Sequence, residues 1–274
     1  MNKLSPILKW AGGKRQLLSH IIPLIPETFD TYYEPFVGAG AVLLDLQPSK
    51  GVINDTNIEL MNMYTIIKNA PEQLIEILEF FEQQHCKEFY YQIRDLDRNE
   101  YQFNKLTDLE KAARTIYLNR TCFNGLYRVN KQGFFNTPMG HNSSIQIVNK
   151  KGIMGIHHFL NNSDIKILTG DYTICLSTVT EKDFVFLDPP YYPTNYNSFV
   201  RYDVKAFDVE AQIQLKEKCD ELTKTGVRFI ETNSDCEEVR SLYTDYSIIE
   251  VDVRRSINAQ VDGRRGKELI ICNY

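Results

Sequence analysis

Residues 188–191 read Asp-Pro-Pro-Tyr, immediately after the apolar run Phe184-Val185-Phe186-Leu187. Two prolines cannot extend a strand ladder, because each lacks an N–H and has a fixed φ. The chain must leave its sheet here, at a strand's carboxyl end, which is where open α/β sheets bind ligands. A plain Pro-rich turn would satisfy the same residues. The residue types also suit one demanding reaction. An exocyclic amine is a poor nucleophile because its lone pair is delocalised into the ring, so alkylating it needs acceptors that draw on the N–H hydrogens. The Asp188 carboxylate and the Pro189 carbonyl would supply two, on a turn stiffened by Pro190. Tyr191 would stack on a base rotated out of a duplex. Reaction at cytosine C5 instead requires a cysteine nucleophile, typically in a Pro-Cys pair, and the chain contains no such pair.

An alkyl donor needs its own site. EPFVGAG (34–40) places Gly38 and Gly40 between a strand-like run and the helix-like VLLDL, a turn that lets backbone approach a ligand at a helix N-terminus. A dinucleotide fingerprint needs a third glycine, and Leu43 stands in its place. A phosphate-free nucleoside such as S-adenosylmethionine fits better. Asp55, ending VIND, is placed either to accept ribose hydroxyls or to close an Asx-turn. In LKWAGGKRQ the single tryptophan, Trp10, sits beside Gly12-Gly13. It is either a core residue or an indole face open to a sulfonium. Lys14 would reach the donor's carboxylate or hold Asp188.

These groups need a sheet beneath them. Strand-like runs occur at 31–36, 51–54, 165–168, 183–187, 227–232, 246–253 and 267–273, with helical stretches such as 71–84 and 208–224 between many of them. That alternation predicts a parallel or mixed α/β sheet covered on both faces, its last two runs forming an antiparallel pair. Between about 59 and 164 the strand signal nearly vanishes. Pro71 suits the first turn of one helix there, and Thr107 with Glu110 makes a capping box for another running toward Arg120. The aromatic, turn-rich FNGLYRVN, KQGFFNTP and GHNSS then predict a polar hairpin ending an inserted recognition module.

The 274 residues carry a formal net charge of −5, which argues against a polyanionic partner, but its distribution argues for one. Lys111 to Lys151 holds seven Lys/Arg and no acid, and Arg254, Arg255, Arg264, Arg265 and Lys267 face only Asp262. A polyanion responds to the local field, although solvated basic faces would look the same. Six scattered cysteines without a C-x-x-C pair suggest reduced thiols rather than disulfides or a zinc site. No apolar run reaches membrane-spanning length and the N-terminus is too polar for a signal peptide. We expect a monomeric cytoplasmic protein, bacterial or phage-encoded.

In this order, KWAGGK, EPFVGAG, NDTN, NGLYRVN, LDPPYY and RRSIN…GRRGKELI resemble the Dam/DpnM family of DNA N6-adenine methyltransferases, from Lys9 to about Leu269. The order of parts is similar to the α group of amino-methyltransferases. D-P-P-Y alone is shared with ribosomal RNA methyltransferases, whereas NGLYR together with KWAGGK is far more specific. The resemblance implies a Rossmann-like methyltransferase sheet from residues 1–58 and 165–274, with a terminal antiparallel hairpin. It implies an inserted, mostly helical DNA-recognition domain with a β-hairpin at 59–164. It further implies S-adenosylmethionine as cofactor, S-adenosylhomocysteine as product and no metal. Cofactor contacts would fall on Trp10, Lys14, Glu34, Asp55 and Asp188, with Phe36, Gly38 and Gly40 as a wall and Asp171 near the adenine. Asp188, Pro189, Pro190 and Tyr191 would be catalytic. The partner implied is duplex DNA containing GATC, read by Arg128 and Leu126, with Asn124, Asn130 and Pro138 beside them and Lys9 on a guanine. Arg and Lys pair with guanine O6 and N7, and Leu suits a thymine methyl. The flap PTNYNSFVRYD (193–203) has its own sequence.

Three other readings compete. An RNA adenine methyltransferase would lack the NGLYR insert, a nicotinamide-dependent reductase would need the third glycine, and a non-catalytic DNA-binding module would lack an intact cofactor pocket.

Overall fold

Seven strands form where the apolar runs predict them: β1 (Tyr32–Glu34), β2 (Lys50–Asp55), β3 (Asp164–Thr169), β4 (Phe184–Leu187), β5 (Arg228–Ser234), β6 (Ser247–Arg254) and β7 (Arg265–Cys272). The computed structural model describes residues 3–141, 145–192, 207–254 and 265–274. Strand order is β3-β2-β1-β4-β5-β7-β6. The first five in that order run parallel, and β7 is antiparallel to both β5 and β6.

Successive side chains on a strand point to opposite faces, and in the central strands β1, β4 and β5 both faces are buried. Tyr32, Ile53, Phe184, Phe186, Ile230 and Ile270 enter one core cluster. Tyr33, Val52, Val185, Leu187, Phe229, Leu269 and Ile271 enter the other. This explains why the strands read as continuous apolar runs. The chain leaves β1 toward β2 on one side and β4 toward β5 on the other, so strand order reverses between β1 and β4. Such a switch point opens a crevice at the strands' carboxyl ends. Glu34 ends β1 and Asp188 follows β4, which puts two acids at the crevice floor.

The helices are α1 (Leu18–Ile21), α2 (Ala41–Leu46), α3 (Ile58–Asn69), α4 (Pro71–Gln83), α5 (Lys87–Asp95), α6 (Glu100–Lys105), α7 (Asp108–Thr121), α8 (Lys150–Asn162), α9 (Tyr172–Leu176), α10 (Val209–Lys224) and α11 (Glu237–Leu242). The capping box of α7 forms as expected: Glu110 N–H donates to Thr107 Oγ1 at 3.2 Å and Thr107 N–H to Glu110 Oε2 at 2.8 Å. Most of α7 is buried, with α3, α4 and α5 packed against it.

Two features between the strands differ from expectation. Helices α5 and α6 gave no sequence signal, since only Tyr90 is buried on α5 and nothing on α6. The hairpin does not end the insert, because α8 carries the chain from it back to β3. Its apolar stripe of Ile153, Ile156, Phe159 and Leu160 is helical in period, but Gly152 and Gly155 weaken helix propensity in its first half. The buried side chains of α3, α4, α7 and α8 join the same cluster as one face of the sheet.

Candidate active site and nucleic-acid face

Asp188 leaves β4 partly buried, and its Oδ1 takes two donors: Lys14 Nζ at 2.6 Å and Thr232 Oγ1 at 2.8 Å. Among the described residues nothing donates to Oδ2 or to the Pro189 carbonyl. Lys14, itself buried, also donates to the Gly12 carbonyl at 2.6 Å and lies over the Tyr191 ring at 4.6 Å. Of the two tasks foreseen for Lys14, the geometry therefore displays the hold on Asp188. Tyr191 is fixed at its far end, its hydroxyl donating to Glu268 Oε2 at 2.7 Å. Burial raises the Asp188 pKa, while the Lys14 ammonium and the two hydrogen bonds oppose the rise.

Glu34 lies on the same floor, fully buried, and accepts the Tyr32 hydroxyl at 2.8 Å. Burial pushes its pKa up to about 8, with the Asp188 charge adding to the effect and the Tyr32 bond and Lys14 charge offsetting part of it. Trp10, Lys14, Glu34, Gly38, Gly40 and Asp188 together line a small cavity of about 30 Å³. The glycines are required there. A Cβ on Gly38 would stand 3.2 Å from Trp10 Cδ1, and one on Gly40, where φ is +71°, would stand 2.6 Å from the Tyr64 hydroxyl.

Trp10 is half-buried against the core and tilts against Tyr127, ring centroids 4.9 Å apart. It also lines a second, larger cleft of about 1010 Å³, shared with Asp55, Thr56, Asn57, Tyr127, Arg128 and Asn130. Asp55 closes the Asx-turn, accepting Asn57 N–H on Oδ1 at 2.9 Å, and ties the glycine loop by accepting Gly38 N–H on Oδ2 at 3.1 Å. Carboxylate oxygens have spare lone pairs, so these bonds leave room for further donors. Phe36 stands apart from the small cavity, stacked on Tyr172 at 5.2 Å. Asp171 is exposed and caps α9 by accepting Thr173 N–H at 2.9 Å.

The predicted hairpin is present but sparse, held by isolated bridges between Val129 and Phe135 and between Cys122 and Met139. Asn130 builds its turn, Oδ1 accepting the N–H groups of Gln132 and Phe134 at 3.0 Å each. Arg128 is exposed, its Nε donating to Asn136 Oδ1 at 2.7 Å. Leu126 is half-buried, and its carbonyl accepts Thr137 Oγ1 at 2.7 Å. Pro138 is exposed, with its carbonyl accepting Phe123 N–H at 2.9 Å. Lys9 and Asn124 line a separate cavity of about 340 Å³ with Arg120.

Sequence reasoning missed what holds this face together. Asn119, fully buried on α7, accepts Lys9 N–H at 2.9 Å and donates to the carbonyls of Lys9 at 2.7 Å and Gly125 at 3.1 Å. Gly125 has φ +66°, and a Cβ there would strike Lys9 Cδ at 2.6 Å. Arg114, counted above among the basic run, is not on the surface: it is 1% exposed and pairs with Asp97 at 2.7 Å. Asp97 in turn pairs with Arg98 and accepts Phe135 N–H at 2.8 Å, while Arg98 donates to the Phe135 carbonyl at 2.8 Å. Of the second basic cluster, Lys267 is exposed and paired with Glu250 at 2.6 Å. Arg255, Arg264 and the flap at 193–203 lie outside the described residues, as do the side chains of Arg254 and Arg265.

All six cysteines are unpaired. Among the described residues no cluster of three His, Cys, Asp or Glu side chains could hold a metal ion, and no helix is long and apolar enough to cross a membrane.

The sequence that builds this site is similar to those of known proteins. A Type II methyltransferase, M1.LlaDCHI of Lactococcus lactis subsp. cremoris, is 41% identical over 99% of this chain and 96% of its own length. The Type II methyltransferase M.MjaIII of Methanocaldococcus jannaschii is 38% identical over 99% of this chain and all of its own. The DNA adenine methylase of Escherichia coli strain K12 is 30% identical over the whole of this chain and 96% of its own. Residues 10–257 match the model of one family, and the chain belongs to it: the D12 class of N6 adenine-specific DNA methyltransferases.

Proposed function

We propose that this enzyme transfers a methyl group from S-adenosylmethionine to the N6 amine of an adenine rotated out of duplex DNA, within a GATC site. The observation that carries the chemistry is the asymmetry at Asp188. Lys14 and Thr232 both occupy Oδ1, which leaves Oδ2 and the Pro189 carbonyl to accept the two amine hydrogens. These acceptors raise electron density on N6 and stabilise the positive charge that develops there during attack. Tyr191, anchored through Glu268, offers its ring face to the rotated base.

The residues present fit the cofactor. S-adenosylmethionine supplies an activated methyl group on a sulfonium when bound. Glu34, fully buried, and Asp188, partly buried, are two acids beside one lysine, a floor that favours added positive charge. Gly38 lacks the Cβ that would crowd Trp10, keeping the indole available to a cation. Asp55 retains lone pairs for ribose hydroxyls, Phe36 and Asp171 would border the adenine, and Gly40 would let the loop approach.

For recognition, Lys9, Asn124, Leu126, Arg128, Asn130 and Pro138 surround the turn-built face, and Arg128 is exposed. Residues 59–164 would supply DNA recognition, and 1–58 with 165–274 catalysis. We place the enzyme as a monomer in the cytoplasm of a bacterium or of a phage-infected one. The relative named DNA adenine methylase supports DNA as the target.

Methyl incorporation into duplex oligonucleotides altered one base pair at a time tests this reading. GATC should be methylated at adenine, and Asp188→Ala should lose roughly 10²-fold or more in rate while keeping its circular dichroism. Arg128→Ala should relax preference at one guanine by about 1–3 kcal/mol rather than weaken all sites alike. Methylation at another sequence would remove GATC and leave the chemistry. An Asp188→Ala rate above about a tenth of wild type would remove the chemistry.

A further inference from the structure

Helix α10 presents Leu215, Cys219 and Leu222 to the core, and the next position of that stripe toward the active site is Gln212, also fully buried. Facing it, β5 ends in four buried polar residues, Glu231-Thr232-Asn233-Ser234. Buried amides are costly unless bonded, and here the two buried amides, Gln212 and Asn233, reach the chain at Pro190 and Tyr192.

The polarity of the array is forced. The N–H groups of Tyr192 and Ser234 can only donate, and both point at Asn233 Oδ1, at 3.2 and 2.9 Å. Asn233 must therefore turn Nδ2 the other way, toward Glu231 Oε1 at 3.1 Å and Gln212 Oε1 at 3.0 Å. With its oxygen engaged, Gln212 directs Nε2 at the Pro190 carbonyl, 2.8 Å away. Ser234 Oγ donates to the Tyr192 carbonyl at 3.0 Å, closing the array on the loop's far side.

We propose that Gln212, oriented by Asn233, is a positioning residue for methyl transfer: by holding the Pro190 carbonyl it fixes the neighbouring Pro189 carbonyl and Asp188 as the acceptor pair for the amine. The inference rests on the reading of Asp188 and Pro189 given above. Thr232 grips Asp188 at one end of the turn and Gln212 grips Pro190 at the other, so β5 and α10 clamp both sides of Pro189. Without its donor, the Pro190 carbonyl turns toward water and the Pro189 carbonyl moves with it. Displacements near 1 Å at reacting groups cost about 10²-fold.

Two full-length variants test this. Gln212→Met keeps length and volume but has no donor. Gln212→Leu is smaller and likewise has no donor for the Pro190 carbonyl, and it carries the test should the methionine variant fail to fold. Single-turnover transfer from labelled S-adenosylmethionine to unmethylated plasmid DNA should slow roughly 10- to 100-fold in both. Dissociation constants for S-adenosylmethionine and for DNA should stay within about threefold of wild type, since the clamp sets geometry rather than contacts. Wild-type rates in either folded variant overturn the proposal. So does a slower rate that only tracks parallel losses of cofactor affinity and thermal stability, the mark of a structural role. Asp188→Ala in the same assay separates the two levels. If it transfers at near wild-type rate, the reading of the site fails; if it is inert while the Gln212 variants are normal, only the clamp fails.

Discussion

The Asp-Pro-Pro-Tyr loop and the hairpin at 122–140 border neighbouring cavities that share Trp10 but are built in opposite ways. Four of the five residues from 188 to 192 can be followed into the interior: Asp188 to Lys14 and Thr232, Pro190 to Gln212, Tyr191 to Glu268 and Tyr192 to Asn233. The hairpin has two isolated bridges, a turn closed by one asparagine side chain, and Asn124, Arg128 and Pro138 exposed. Transferring a methyl group to a weak nucleophile demands fixed acceptors. Reading base edges demands side chains that reach outward from a placed backbone. Rigidity therefore lies in the loop itself at one site, and beneath the hairpin, in Asn119, Asp97 and Arg114, at the other.

The largest effect should come from breaking what lies beneath the hairpin. Arg114 is buried against Asp97 and also donates to the carbonyls of Ile93 at 2.9 Å and Arg94 at 2.8 Å. Stripping one partner from a buried ion pair costs about 3–5 kcal/mol. Arg98 still faces Asp97, so Arg114→Met should lose about 3 kcal/mol, the lower end of that range. Urea unfolding reads the loss. A cost under about 1 kcal/mol would mean the network is dispensable and the hairpin stands on its own turns.

Much of this architecture was legible in the residues, and the illegible part has a common cause. Strand β4 was visible because a strand buried on both faces writes itself as Phe-Val-Phe-Leu, and α7 because Thr107 and Glu110 cap it. The Asp-Pro-Pro-Tyr turn was visible because prolines stop a ladder. Gln212, Asn119 and Arg114 gave no comparable signal. Each is a polar residue on a helix face that the fold then buries, and its partners lie on other elements. Gln212 left only a trace, as the one polar residue in step with Leu215, Cys219 and Leu222. Arg114 misled outright, since charge counting placed it on a basic surface.

The acids on the floor predict a pH dependence specific to the loop side of the crevice. Glu34 has a folded pKa of about 8 against an ordinary 4.5. Between those values the folded state holds a proton that the unfolded state has lost. Stability from this group is thus complete below about 4.5, declines by up to about 1.4 kcal/mol per pH unit and levels off above about 8. Glu231, pushed up to about 7 by burial, contributes with the same sign. Glu34→Gln, which mimics the protonated acid, should unfold like wild type near pH 5 and become the more stable protein toward pH 8. Parallel stability curves for the two proteins across that range would show that Glu34 ionises normally. Positive charge brought beside Glu34 lowers its pKa, so S-adenosylmethionine binding at pH 7 should release protons, measurable by titration calorimetry in buffers of different ionisation heat. The release should vanish in Glu34→Gln.

The smallest predicted effect concerns the seam between the two regions. Trp10 lines the small cavity beside Asp188 and Tyr127 lies in the hairpin, and their rings meet at 4.9 Å. Tyr127 continues the contact to Phe135, 5.6 Å away at a steep angle, and its hydroxyl reaches Glu59 at 3.4 Å. An aromatic pair of this kind is worth about 0.5–1.5 kcal/mol beyond its burial. If ordering one ring orders the other, S-adenosylmethionine and DNA must each strengthen binding of the other by one common factor. Tyr127→Leu should shrink that factor by roughly 2- to 10-fold, equally whether cofactor affinity is measured with and without DNA or DNA affinity with and without cofactor. Trp10→Leu should weaken the cofactor directly as well, and the double variant should lose no more coupling than either single one. Coupling that survives in Tyr127→Leu would separate the two regions, leaving the rigid loop and the supported hairpin as neighbours that act independently.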